Sequence, residues 1–196
     1  MKELFLNKSM NLITNYKHYS DDDKEKLLYG LEGIYLTVYK LLIIIILSIF
    51  LGIFKEIILF LLLFNIIRYP AFGFHANTSL QCLIMSLVFI VGLPYLLLSI
   101  DLNIYIRLGI SIFCLINFIL YAPADTVKRP LPNIKKRKIR KFFSILCCLL
   151  YSVLCIFLKS YIGTLFLVSI IVETILINPI IYKIFKQPYR NYLNLK

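Results

Sequence analysis

His75 and Cys82 stand seven residues apart in FNIIRYPAFGFHANTSLQC, Phe64 to Cys82, a polar interruption between long apolar runs. A cysteine and a histidine together can do nucleophilic chemistry. The thiolate attacks a carbonyl, and the imidazole takes up a proton and later returns it. The chain has two histidines, and His18 lies in a charged N-terminal segment, so His75 is the base nearest an apolar run. Of the five cysteines, Cys114, Cys147, Cys148 and Cys155 lie in apolar stretches and read as small packing side chains. Cys82 alone borders a polar turn. By itself the pair is a weak signal, because Cys82 also suits a helix and His75 an interface. Asn77, Ser79, Gln81 and Asp125 are each able to orient an imidazole, and residue type does not choose among them. Arg68 reads either as an anchor at the membrane surface or as a binder of a substrate carboxylate.

The spacing limits how such a pair is built. Residues seven apart on one α-helix share a face but lie about 10.5 Å apart along the axis. A hydrogen bond needs about 3 Å. Pro70 and Gly73 argue against a continuous helix, since proline breaks or starts one and glycine permits positive φ. The expected arrangement is therefore a loop over PAFGFHANTS, followed by a helix that begins near Ser79 with Cys82 in its first turn. The positive end of a helix dipole favours an anion such as a thiolate, and its free amides suit an oxyanion.

The elements that must position these residues belong to a membrane. The chain has 196 residues, 60% of them hydrophobic, and a mean hydropathy of +0.84. A soluble domain of this size cannot bury so much apolar surface. Lys and Arg number 22 against 10 Asp and Glu. The bases cluster beside apolar runs, the pattern of membrane topology and not of nucleic-acid binding. No group of His, Cys, Asp and Glu offers three metal ligands in sequence, and no cofactor is expected. The N-terminal segment lacks the short apolar core and cleavage site of a signal peptide, so the chain is expected to begin near Met1.

The predicted fold is all-α: a polytopic transmembrane helical bundle with an N-terminal amphipathic helix over residues 1–19, at the interface or packed on the other helices. Ser20 and Asp21 to Asp23 mark a helix start. About six apolar segments follow, near 34–54, 57–67, 80–98, 104–121, 142–158 and 161–182. FKE at 54–56 reads as a turn, and Pro94 as a kink in the third segment. The second is short for a bilayer core, so four spans with re-entrant helices are an alternative. Residues 122–141 read as a basic loop with eight Lys or Arg. The organisation is a cytoplasmic 1–33 followed by one membrane domain, 34–196. Eighteen of the 22 bases fall on the side shared by both termini, the 68–79 turn and the 122–141 loop. That side is predicted to be cytoplasmic, in the cell membrane. Glu173 within the last segment requires a partner, expected among Lys or Asn neighbours.

RYPAFGFHANTSLQC resembles the central motif of the accessory gene regulator protein B family: Arg, then Gly-x-His-Ala, then Cys. YAPADTVKRPLP, residues 121–132, is similar to the family's Ala-Pro-Ala segment and Lys/Arg-Pro loop. IIVETILINP, residues 170–179, resembles a late helix with an acid and a proline. Phe72 before Gly73 departs from the smaller residue of many relatives, which bears on substrate fit. The resemblance implies a membrane cysteine endopeptidase of quorum sensing, with Cys82 as nucleophile and His75 as base. It implies that Arg68 and Gly73 are needed for activity. Its substrate would be a propeptide with an amphipathic N-terminal helix and an acidic C-terminal tail, cyclised to a thiolactone. The bases of the loop, Lys128 and Arg129 among them, would attract that tail or bind anionic lipid. A homodimer is also implied. The competing readings are a small transporter or binding protein without covalent chemistry, and a protease that only hydrolyses.

Overall fold

The computed structural model describes residues 2–16, 19–76, 78–126, 130–158 and 160–193. His18, Asn77, Lys128 and Arg129 lie outside the described residues. The chain forms two compact units, Met1–Phe50 and Leu51–Lys196, and the described residues are helical with no strand.

The first unit is a helical pair. α1 spans Lys2–Tyr16 and α2 spans Asp21–Phe50. Ser20 starts α2 as its sequence suggests. Its hydroxyl accepts the Asp23 amide at 3.3 Å and donates to the Asp23 carboxylate at 2.8 Å, satisfying one of the orphan donors of a helix start. α1 packs on α2 through Phe5 against Tyr35, rings 5.4 Å apart, and through a Lys2–Glu32 ion pair. At 30 residues, α2 runs unbroken from the acidic start into the first apolar segment. That segment ends at Phe50, because the turn comes at Gly52, whose φ of 73° suits glycine. FKE is therefore the first turn of the next helix and not a turn between helices.

Among the described residues, the second unit holds six helices besides a 3-10 turn at Asn191–Leu193: α3 Phe54–Ala71, α4 Ser79–Leu98, α5 Ile104–Tyr121, α6 Ile134–Phe157, α7 Tyr161–Ile177 and α8 Pro179–Ile184. α7 is the centre. Leu165, Val168, Ile170, Val172 and Ile177 are all fully buried, so no single face is apolar, as expected for a helix covered all round. α3 turns Ile57, Phe60, Leu63 and Ile67 inward at helical spacing. The Tyr151 hydroxyl of α6 donates to the Leu63 carbonyl at 3.0 Å. At the far end Arg107 of α5 is buried and donates to the carbonyls of Leu102 and Cys155 and to the Thr164 hydroxyl. The Cys155 carbonyl belongs to the last turn of α6, where a helix dipole favours a cation.

α2, α4, α5 and α6 are long and apolar enough to cross a membrane, and α7 is a shorter apolar helix. With α3, they account for the six predicted segments of a transmembrane helical bundle. Besides the end of the first segment, three further boundaries differ from expectation. The second segment extends to Ala71, with Pro70 in its last turn. The basic stretch is a loop only to Asn133, whose side chain caps α6 by accepting the Lys136 amide at 3.1 Å. Six of its eight bases thus lie in the first turns of α6. The sixth segment breaks at Asn178, where Pro179 begins α8 and the Asn178 side chain accepts the Ile180 amide. The irregularity expected at Pro94 takes the form of a π turn, Leu87–Gly92, just before it. A proline leaves the carbonyl four residues earlier without its partner.

Candidate active site

The motif around His75 and Cys82 is a turn between two helices, held by residues from distant parts of the chain. α3 ends at Ala71, and Phe72 then adopts φ 62° and Gly73 φ 107°. The backbone beyond leaves the helix ladder in an apolar setting, and groups from distant parts of the chain bond to it. The Gly73 amide donates to the Ala124 carbonyl at 2.8 Å, the Phe74 amide to the Leu176 carbonyl at 2.7 Å, and the Ala124 amide to the Ala71 carbonyl at 3.0 Å. Phe72 and Ala124 form an isolated parallel bridge. Tyr182 adds its hydroxyl to the Ala124 carbonyl at 3.2 Å. The three stretches that carry the family resemblance meet here: the motif, the Ala-Pro-Ala segment and the end of the late helix.

Arg68 organises the turn. Its Nη2 donates to the carbonyls of Gly73 at 3.1 Å and Phe74 at 2.6 Å. Its Nη1 lies 3.3 Å from both carboxylate oxygens of Glu173, and Glu173 is completely buried in α7. The planar fork suits this division, one arm to a carboxylate and one to carbonyls. The partner of Glu173 is thus Arg68, and not the Lys or Asn neighbours expected from sequence. Arg140 of α6 closes the other side. It donates to the Tyr69 carbonyl at 2.7 Å and lies over the Phe72 ring at 4.5 Å.

His75 follows this anchored pair of residues and is exposed. Its carbonyl accepts the Gln187 side-chain amide at 2.7 Å. The chain re-enters helix at Ser79, with Thr78 as N-cap accepting the Gln81 amide at 3.3 Å. Cys82 is the fourth residue of α4 and half-buried, and its amide makes the first helical bond, to the Thr78 carbonyl at 3.0 Å. The residues between Ala71 and Ser79 do not continue α3, so the about 10.5 Å axial separation of a straight helix does not apply to the pair. Ser79 and Gln81 occupy the same first turn. Asp125 is engaged elsewhere. Its carboxylate accepts the amides of Tyr192 at 2.9 Å and Leu131 at 3.4 Å, tying the loop after α5 to the C-terminal tail.

Sequence reasoning missed Glu173 as a partner of the motif, and also Tyr182 and Gln187, whose bonds to the turn span many residues. A buried acid in an apolar helix was the one usable signal.

Gly73 is where a small change has a defined cost. A Cβ there would strike the Arg68 guanidinium, and would lie 3.0 Å from the Leu176 carbonyl oxygen and 3.2 Å from Glu173 Oε1. Its φ adds strain of about 1–3 kcal/mol for any other residue. Gly73→Ala is expected to lower the thermal transition and reduce activity. Gly109→Ala, where a Cβ meets nothing within 4 Å, is expected to leave both unchanged. Equal behaviour of the two variants in a melting and activity comparison would remove the turn from the argument.

The fold and site define a class: an all-helical membrane protein with a cysteine in the first turn of a helix, after a buttressed turn that carries a histidine. The profile of the family described as Accessory gene regulator B matches residues 6–177. The chain belongs to this family. It is 37% identical over 153 residues to "Accessory gene regulator protein B" of Staphylococcus aureus (strain JH9), covering 78% of this chain and 81% of that one. AgrB-like proteins of Listeria welshimeri and Listeria innocua are each 34% identical over 175 residues, covering 87% of this chain and 86% of theirs. No solved structure matches.

Proposed function

We propose that this protein is a cysteine endopeptidase of the cell membrane that removes the C-terminal tail of a quorum-sensing propeptide and promotes its cyclisation to a thiolactone. The observation that carries the reading is the position of Cys82 in the first turn of α4, directly after a turn with His75 that Arg68 and Glu173 brace. Cys82 attacks the carbonyl at the cleavage point as a thiolate. The first-turn amides of Ser79 and Leu80, which no α-helix uses internally, suit the oxyanion. Collapse of the tetrahedral intermediate leaves a thioester on Cys82. The tail departs as an amine, protonated by His75.

An internal cysteine of the peptide then attacks the thioester, its proton passing to His75. The ring closes and Cys82 is freed. One thioester replaces another, so the exchange is nearly neutral and water is the competitor. Lys128 and Arg129 would draw in the acidic tail, and the amphipathic part of the propeptide would lie in the bilayer surface. The active site and both termini face the cytoplasm, and a homodimer is the expected assembly. Asn77, Ser79 and Gln81 are the candidates to contact imidazole or peptide.

Product mass tests this directly. Co-expression with a tagged propeptide is expected to yield a tail-less peptide one water lighter than the linear form. A tail-less linear peptide would make the protein a hydrolase. Peptide left intact with every candidate propeptide would favour a transporter or binding protein.

A further inference from the structure

A cavity of about 340 Å³ opens beside the start of α6, and Ala124, which also pairs with the turn before His75, forms part of its wall. Arg137, Lys138 and Lys141 of α6 line it together with Arg190 of the tail, and Tyr121, Tyr189 and Tyr192 form aromatic walls. Asp125 is the acid in the lining, and its carboxylate is taken by the amides of Tyr192 and Leu131. Among the described residues, no carboxylate forms an ion pair with any of these four cations. Arg137 and Lys138 also lie at or next to the first turn of α6, where the helix dipole disfavours positive charge. Arg137 is held in place over the Tyr192 ring, 3.1 Å from its centroid. The sequence has therefore concentrated cations at an electrostatically costly place, around a hollow, without supplying the anion.

The surroundings say which anion fits. Leu120 and Ile134 also line the cavity, beside the Ala122–Pro123–Ala124 backbone, and both are exposed. From Leu120 an exposed apolar stripe runs down α5 through Ile116 and Ile112. From Lys138 another runs down α6 through Phe142 and Leu149, at spacings that keep each stripe on one helix face. Both stripes lie on helices long enough to cross a membrane. A ligand with an anionic head and two apolar chains matches a basic hollow from which two apolar stripes descend. Tyrosines at the rim are the side chains that suit the boundary of headgroup and hydrocarbon. An acidic peptide would use the cations but not the stripes.

We propose that this cavity is a binding site for the phosphodiester headgroup of an anionic glycerophospholipid, with the acyl chains along α5 and α6. The lipid site stands or falls without the peptidase reading. The test uses the full chain, reconstituted in phosphatidylcholine vesicles containing phosphatidylglycerol, then gently extracted and weighed with its bound lipid. Lys138→Gln/Lys141→Gln removes two lining charges. Lys135→Gln/Lys136→Gln removes two charges from the same helix outside the lining. Wild type and the second variant are expected to retain phosphatidylglycerol over phosphatidylcholine, and the first variant to retain at least about tenfold less. The thermal transition of all three in the same detergent is expected to coincide when lipid is stripped.

Equal loss in both variants would reduce the effect to general surface charge and overturn the site. Equal retention of phosphatidylcholine would do the same. Displacement of the lipid by inorganic phosphate would reassign the hollow to a free anion. Displacement by a glutamate-rich peptide would reassign it to an acidic polypeptide.

Discussion

Cys82→Ala is expected to abolish propeptide cleavage while leaving the folded protein in the membrane. Loss of a nucleophile in a covalent mechanism costs about four to six orders of magnitude in turnover, and no other cysteine can substitute. Cys114, Cys148 and Cys155 are buried among the helices, and Cys147 is half-buried midway along α6. Cys82 is half-buried at a helix start, where exchange for alanine removes little packing. The helix keeps its Thr78 side-chain cap on the Gln81 amide and its Cys82 amide bond to the Thr78 carbonyl, neither of which uses the thiol. Cleavage measured by mass, alongside the thermal transition of each protein, separates chemistry from folding. Cys147→Ala is the matched control and should cleave normally. Cleavage surviving in Cys82→Ala, or a melting transition lost with it, would make Cys82 a structural residue.

Replacing Glu173 should cost more stability than any other single change near the turn. Glu173→Leu leaves the Arg68 guanidinium without its counter-charge in a largely buried place, where breaking an ion pair costs about 3–5 kcal/mol. Its exposure is 17% for the Arg68 side chain and nil for Glu173, so solvent offers little relief. The second consequence is local. Arg68 freed from Glu173 is no longer aimed at the carbonyls of Gly73 and Phe74, and the turn before His75 loosens.

Arg68→Leu/Glu173→Leu separates the two effects. With both charges gone, stability should recover part of the loss, because no unpaired charge remains. Activity should not return, because the two carbonyls still lack their donor. Arg68→Lys should also be poorly active, since an ammonium cannot present a planar fork to a carboxylate and two carbonyls. Thermal melts and cleavage rates of the four proteins give the comparison. Full activity in the double variant would show that the pair only offsets its own burial.

The local features of the site were legible in the sequence because each rests on nearby residues. Pro70 and Gly73 announce the end of α3 and the left-handed turn. Thr78 and Ser79 ahead of an apolar run announce the start of α4. The bounds of α6 were harder to read, because six bases at a helix start oppose the dipole and look like a loop, although Pro132-Asn133 is a good cap signal. The break at Asn178 was hidden by apolar residues on both sides, yet Asn followed by Pro fits a new helix start. What no local pattern contains is the meeting of Arg68 with Glu173, 105 residues apart, or of Gly73 with Ala124. Those contacts depend on which helices adjoin α7. The resemblance had marked all three stretches without saying that they touch.

The central claim is a covalent bond between Cys82 and the peptide, and the intact mass of the protein tests it most directly. Reconstituted protein incubated with propeptide and quenched in acid is expected to gain the mass of the tail-less peptide less one water. Hydroxylamine should remove the adduct, a peptide map should place it on Cys82, and Cys82→Ala should lack it. Propeptide cleaved with no such adduct at any time, or an adduct that persists in Cys82→Ala, would contradict the mechanism.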